Sequence, residues 1–249
     1  MQDITAIFTL WLRDLKRYWY DKPRIVASLG QPLLFLFVLG SALSPSFKGA
    51  QGVNFTEFIF PGIIAMTLLF TSVFSAMSIV WDREFGFLKE VMVAPISRWS
   101  IAIGKSFGGA TVALIQGIIM LSFSLVIGVK LSFFSVFLSI MIMFMIAFAM
   151  TSFGIMIAAR MKEMEGFQVI VNFLIMPIFF LSGALFPFDR LPPWLLFLTR
   201  IDPLTYGVDL LRGVMINVHA FPLTFDLLLI SLFAVIMLAI AVIEFNLLD

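Results

Sequence analysis

Long uncharged apolar runs alternate with short charged islands along this chain. Ile59 to Val80 carries no charge, nor does Ser106 to Val129, and between them Trp81 to Trp99 gathers Asp82, Arg83, Glu84, Lys89, Glu90 and Arg98. A helix needs about 20 apolar residues to cross a hydrocarbon core of roughly 30 Å. On that measure the pattern predicts an all-α, polytopic membrane protein. Its six spans are Ile25 to Leu43, Phe58 to Val80, Ser106 to Val129, Leu131 to Ala159, Phe167 to Phe186 and Leu227 to Ile243, the last being the shortest. The fourth run exceeds one straight crossing, so it is tilted or continues past the interface. Pro177 is expected to kink the fifth.

Three stretches follow other rules. In Asp3 to Tyr20, Ile4, Ile7, Phe8, Trp11, Leu15, Tyr18 and Trp19 recur at three-and-four spacing, with Arg13, Asp14, Lys16 and Arg17 opposite. This is an amphipathic helix lying in the membrane plane, ended before Pro23. In the central island, Asp82, Arg83, Lys89 and Glu90 pair seven residues apart on one face, while Phe85, Leu88 and Met92 line the other beside Phe87 and Val91. A short amphipathic helix stopped by Pro95 is expected, either as an interfacial cap on two spans or as a docking element. Residues 187–224 contain Pro192-Pro193-Trp194-Leu195-Leu196-Phe197-Leu198 and Asp202-Pro203-Leu204-Thr205-Tyr206-Gly207, apolar pieces too short to span. Two short helices lying in, or dipping into, the outer interface are expected there.

Composition agrees with this class. Of 249 residues, 61% are hydrophobic and 12% charged, against about 25% charged in soluble domains. A net charge of +1 leaves no excess of cations to follow phosphates, so nucleic acid is not an expected partner. With no cysteine and a single histidine, His219, disulfides, thiolate chemistry and histidine-rich metal clusters are excluded. Met1 to Asp21 lacks a continuous apolar core and a small-residue cleavage site, so it is expected to be retained. With the N-terminus in the cytoplasm, 11 of the 16 Lys and Arg residues fall inside, and the positive-inside rule selects that orientation for both termini. All five tryptophans then lie at interfaces.

Five of the six predicted spans hold no Asp, Glu, Lys, Arg or His, and the sixth is bounded by Asp226 and Glu244. Carriers coupled to protons or sodium generally place an ionisable residue at mid-membrane depth. The bundle is therefore expected to bury no titratable group of its own and to take its energy from another chain. Gly104-Lys105-Ser106 imitates the end of a phosphate-binding loop, but that pattern needs a glycine where Trp99 stands. Gly104, Gly108, Gly109, Ala113 and Gly117 instead offer a close-packing face. Thr67, Thr71, Ser75 and Ser78, with Ser72 nearby, form a hydroxyl face suited to helix contact or to lining a path.

The run Asp82-Arg83-Glu84-Phe85-Gly86-Phe87-Leu88-Lys89-Glu90-Val91-Met92-Val93-Ala94-Pro95-Ile96-Ser97-Arg98, with Gly104-Lys105 after it, resembles the cytoplasmic loop of type-2 ATP-binding-cassette (ABC) exporter permeases. The nearest branch is the half-size drug and antibiotic-resistance permeases of bacteria and archaea. Phe180-Leu181-Ser182-Gly183-Ala184-Leu185-Phe186-Pro187, Asp202-Pro203-Leu204-Thr205-Tyr206 and Leu211-Arg212-Gly213 are similar to the same family's motif around the fifth span. The resemblance covers nearly the whole chain and implies one domain over residues 1–249. Within it, 1–23 would be the elbow helix (Trp11, Arg13, Lys16, Arg17), 82–99 the cytoplasmic coupling loop and 187–224 an external re-entrant region. The ATPase-coupling residues would be Arg83, Glu84, Phe85, Gly86, Phe87, Leu88, Lys89, Glu90, Met92 and Pro95. Phe87 departs from the family, which commonly has a small or hydroxyl residue after the glycine.

The same resemblance implies a permease subunit in the plasma (cell inner) membrane. It would work as a homodimer with two copies of a separate ABC ATPase, and would itself be neither an enzyme nor a nucleotide binder. ATP and Mg2+ would sit on the partner, with no cofactor in this chain. Phe70, Phe74, Met176, Phe179 and Phe180 are candidates for the substrate path, chosen by position on the second and fifth spans. An aromatic, uncharged path suits amphiphiles such as drugs, lipids or lipid-linked glycans. A non-transport scaffold or sensor partner of an ATPase, and a facilitative channel, are the competing readings.

Overall fold

The computed structural model describes residues 2–46, 53–87, 93, 95–188 and 191–247, and these are helical with no strand among them. Helix α1 (Gln2–Tyr20) is followed by α2 (Ile25–Leu43), α3 (Phe55–Glu84), α4 (Arg98–Ile127), α5 (Phe133–Arg160) and α6 (Met164–Leu181). The short helices α7 (Pro193–Ile201) and α8 (Pro203–Ile216) precede α9 (Leu223–Asn246). Six helices, α2 to α6 and α9, are long and apolar enough to cross a membrane, matching the six expected spans.

Helix α3 is the axis of the bundle: 72% of its apolar window is buried, against 17% for α2 and 22% for both α6 and α9. It packs on α4, α5 and α8, so the peripheral helices surround it. Apolar side chains on α2, α6 and α9 that would be costly in water are at home against lipid or a second chain. The helix ends are cut by polar caps. Asn54 and Glu57 form a reciprocal capping box before α3, and the Ser97 hydroxyl accepts from the Ser100 amide at the start of α4.

The expected boundaries shift for two reasons. Helix α3 runs four residues past Val80, and α4 begins at Arg98 rather than Ser106, because helical hydrogen bonding continues beyond the uncharged stretch. Helix α6 stops at Leu181, not Phe186, since Gly183 adopts φ 69, a left-handed conformation that reverses the chain. The shortest span is consequently α6, with 18 residues, while α9 has 24.

The glycine face of α4 works as its spacing implied. A Cβ on Gly104 would lie 3.1 Å from Leu10 Cβ, and one on Gly108 2.9 Å from Asp14 Oδ2, so α1 rests almost on the backbone of α4. Across α4, a Cβ on Gly109 would meet Ser75 Oγ at 2.1 Å and Thr151 Cγ2 at 2.5 Å. The hydroxyl face also serves packing: Ser72 donates to the Ala147 carbonyl at 3.1 Å across the α3–α5 contact. Thr71, by contrast, borders a cavity.

The two short helices appear where expected, and α8 is enclosed by the bundle. Leu204 to Gly213 is wholly buried among α3, α5 and α9. The expectation of a bundle without buried titratable groups fails here. Arg212 is fully enclosed, donates to the Gly183 carbonyl at 2.8 Å and sits 4.1 Å from the Phe58 ring centroid. Asp209 accepts from the amides of Ala220 and Phe221, which join α8 to the loop before α9. Asp226, at the start of α9, is equally buried. Burial lowers the Arg212 guanidinium to about 10, Asp209 opposing the fall. Arg212 and Asp209 escaped sequence reading because they lie in a short helix between spans, and Asp226 because it stands at the edge of an apolar run.

Asp202 caps α8, its Oδ1 accepting from the Leu204 amide, while burial pushes its carboxyl up to about 8. A folded-state value above the unfolded one means that the folded chain keeps a proton that the unfolded chain releases. Stability should therefore fall as pH rises from about 4 to about 8 and level off above. Asp202→Asn keeps an oxygen for the cap and should flatten the part of the melting-temperature profile due to this group; an unchanged slope would place the titration elsewhere. A second pair of variants checks the packing. Gly109→Ala should lower the melting temperature markedly, whereas Gly30→Ala, with nothing within 4 Å of the new methyl, should not.

Candidate functional site

One end of the bundle collects α1, the island after α3, the turn after α5 and the end of α9. Lys105 enters it from the first turns of α4, Asp14 and Arg13 from α1, and Asp82 and Ser78 from the last turns of α3. Lys105 is only 4% exposed, and each carboxylate 12%. A lysine ammonium carries three donor hydrogens, and Nζ finds three acceptors: Asp82 Oδ2 at 3.0 Å, Ser78 Oγ at 3.0 Å and Asp14 Oδ1 at 3.2 Å. Arg13 also pairs with Asp82. Two cations and two carboxylates thus close a network that no single helix could hold.

Further contacts spread along the same seam. Trp11 Nε1 donates to Thr111 Oγ1 at 3.0 Å. The Arg17 guanidinium lies 4.1 Å from the Trp81 ring centroid and that of Arg13 4.6 Å from Phe87. Near the start of α1, Asp3 accepts from the Ser97 amide at 2.8 Å and the Ser100 hydroxyl at 2.7 Å. Those bonds, the amide of Ser97 foremost, hold the Asp3 carboxyl below the usual carboxylate range. Arg83 donates to the carbonyls of Met161 and Ala159 at 2.6 Å each, filling the open end of α5. Arg160 and Glu244 pair at 2.5 Å and join α5 to α9. Side-chain contacts thus tie α1 to α3 and α4, α3 to α5, and α5 to α9.

Asp82 and Arg83 do not begin a separate island helix, as their pairing with Lys89 and Glu90 suggested. They belong to α3, which ends at Glu84; Gly86 then adopts φ 80 and breaks the helix. Arg83 faces inward, while Glu84, Phe85, Phe87 and Pro95 are exposed. Phe85 is 77% and Val93 86% exposed, the two most exposed apolar side chains described on this island. Leu88, Lys89, Glu90 and Met92 lie outside the described residues. On α1, Trp11, Arg13 and Arg17 make the contacts above and Lys16 is exposed.

The five path candidates stand on α3 and α6. Phe70 and Phe74, 6.3 Å apart by ring centroids, border a cavity beside α2. Phe179 is buried edge-on to Phe35, while Met176 and Phe180 are exposed on α6. What sequence reading missed is Lys105 with its ring of acceptors. The available signal was a lone cation opening a charge-free run, 23 positions after Asp82 and opposite the acid of α1. Among the described residues no group of three His, Cys, Asp or Glu could hold a metal.

A family model described as ABC-2 type transporter matches residues 5–216. The "Putative transport permease ycf38" of Cyanophora paradoxa is 28% identical over 76% of this chain and 66% of its own length. The "Probable multidrug ABC transporter permease YbhR" of Escherichia coli is 26% identical over 65% of this chain and 44% of its own length. Nodulation protein J of Rhizobium leguminosarum bv. trifolii is 25% identical over 78% of this chain and 74% of its own. The chain thus spans about two thirds of the first relative and under half of the second.

Lys105→Met leaves Asp14 and Asp82 enclosed without their shared cation, a change that should cost about 3 kcal/mol. Adding Asp82→Asn should restore part of the loss, because the neutral amide needs no counter-charge. Thermal melts of the purified variants in detergent measure both; strictly additive losses would disprove the coupling.

Proposed function

The chain belongs to the ABC-2 type transporter family, and on that footing we propose that it is the permease subunit of an ATP-driven exporter. In this reading it carries no nucleotide site and works as a homodimer with two copies of a separate ABC ATPase. The charged end faces the cytoplasm, as the excess of Lys and Arg on that side favours. The membrane is the plasma membrane, and the cargo is an amphiphile: a drug, a lipid or a lipid-linked glycan. The names of YbhR and of the nodulation protein support an exporter of this kind.

The observation that carries the reading is the pair of exposed apolar side chains, Phe85 and Val93, on a loop rooted in the Lys105 network. Elsewhere exposed apolar residues can face lipid, but this loop lies at the polar end of the bundle, where a protein partner is the natural cover. A push on the loop reaches α3 through Asp82 and Arg83, α4 through Lys105, and α5 through the Arg83 contacts with its last carbonyls. The whole end moves as a lever, and the less buried α2 and α6 are free to part from a second copy. Phe70, Phe74, Met176, Phe179 and Phe180 then belong to a path completed only in the dimer.

Phe85→Ser and Val93→Ser each remove an apolar anchor from the partner contact without touching the bundle. Each should reduce permease-stimulated ATP hydrolysis and vesicle transport about tenfold, the effect of losing roughly 1.4 kcal/mol at an interface, with melting unchanged. Full transport by the double variant would end the lever reading.

A further inference from the structure

A cavity of about 300 Å3 opens between α2 and α3, with α1 and α4 closing its sides. Pro32 of α2 and Met66, Phe70 and Phe74 of α3 give it apolar surfaces. Tyr18 of α1, Ser28 and Gln31 of α2 and Thr71 of α3 set hydroxyl and amide groups among them. None of the described side chains around it carries a charge. Sites for small molecules have this make-up, mostly apolar with a few placed polar groups, and begin at about this size.

The four polar side chains are of two kinds. Tyr18 and Ser28 are engaged: Gln116, fully buried on α4, donates to Tyr18 Oη at 2.5 Å and to Ser28 Oγ at 2.7 Å, which holds α1 and α2 in place. Gln31 and Thr71, half-buried on the α2 and α3 walls, have no hydrogen-bond partner among the described residues. For Thr71 this departs from the local habit. The hydroxyls of Thr67 and Thr111 each donate to the carbonyl four residues back, at 2.9 and 2.8 Å. Gln31 lies six residues beyond Ile25, roughly 9 Å into the α2 span at 1.5 Å per residue. Lipid offers no hydrogen bond at that depth. Two unmatched polar groups thus border one cavity from different helices.

We propose that this cavity binds an uncharged aromatic small molecule that carries both a hydrogen-bond donor and an acceptor. Its rings lie against Pro32, Phe70 and Phe74, where offset or edge-on aromatic contact is favourable. Its polar groups meet the Gln31 amide and the Thr71 hydroxyl. A charged ligand would lose its hydration and find no counter-charge, which is costly. A lipid tail would cover Gln31 and Thr71 without pairing them, leaving each with its desolvation penalty. Water would pair them, yet it is held poorly by surfaces such as Met66 and Phe70. One chain supplies every wall, so the site goes beyond the export reading and needs no second copy.

The test uses the full chain in phosphatidylcholine nanodiscs with 4-(hydroxymethyl)benzophenone, an uncharged photoreactive probe with a hydroxyl and a carbonyl. After irradiation, adducts should saturate with probe concentration and concentrate on residues 27–32 and 66–74. Adducts on Phe133, exposed on α5, give the unsaturable background to which each probe is normalised. On that scale 4-benzoylbenzoate and 4-(aminomethyl)benzophenone, the anionic and cationic counterparts, should label the cavity about tenfold less. Gln31→Leu combined with Thr71→Val keeps the size of the cavity and removes both polar partners. It should lower the adducts of the neutral probe about tenfold, as expected for the loss of two hydrogen bonds. Ala27→Phe and Thr71→Phe, which fill the cavity from α2 and from α3, should lower them at least as far. Adducts that never saturate, or equal labelling by the charged probes, would overturn the proposal. So would adducts undiminished in the combined variant or in both filling variants. Saturable labelling here in a complex that moves no cargo would uphold the site and count against the export reading alone.

Discussion

Everything at the charged end depends on one ammonium group shared by three helices. Lys105 spends its three hydrogens on α1 and α3 from a root in α4, in a pocket nearly closed to solvent. An exposed ion pair contributes little, since water competes for both partners. An enclosed one is different: its desolvation is tolerable only while every partner is in place. The network therefore acts less as glue than as a registration device, because any slip of α1 along α4 would strand a carboxylate. The glycines at 104 and 108 make the same demand sterically, leaving α1 room in one position only.

Much of this was legible in the sequence, and the parts that were not share a cause. Spans could be read from uncharged length, the amphipathic helix α1 from three-and-four spacing, and the α4 contact face from its glycines. Lys105 was not, because a lone charge at the edge of an apolar run looks like an interfacial anchor until its partners are known. Arg212 and Asp209 were not, because α8 is too short to register as buried by length, and its burial comes from three other helices. The charged island was only half legible: Asp82 and Arg83 were expected in a separate short helix but proved to be groups of α3. Periodicity assigns a face; it does not say where one helix stops, and the left-handed Gly86 decided that.

The bundle also divides its work between two kinds of solvent. Helix α3 is packed on nearly every side, like the core helix of a water-soluble protein, whereas α2 and α6 leave most of their surface to lipid or a neighbour. Removing apolar groups from water supplies no association energy within a hydrocarbon layer. The tight inner contacts must come from shape, as at Gly109, and from hydroxyl bonds such as Ser72 to Ala147. Loosely held outer helices follow directly, since nothing drives them inward with comparable force.

The arrangement of α1 on the backbone of α4 has a bearing on how the chain is made. About 85 residues separate Tyr20 from Lys105, and ribosomes add roughly 5 to 20 residues per second. Helix α1 must then wait several seconds before its seat exists. Its two-faced sequence gives it somewhere to wait: afloat at the water–lipid boundary, until the later helix arrives and Asp14 meets its lysine.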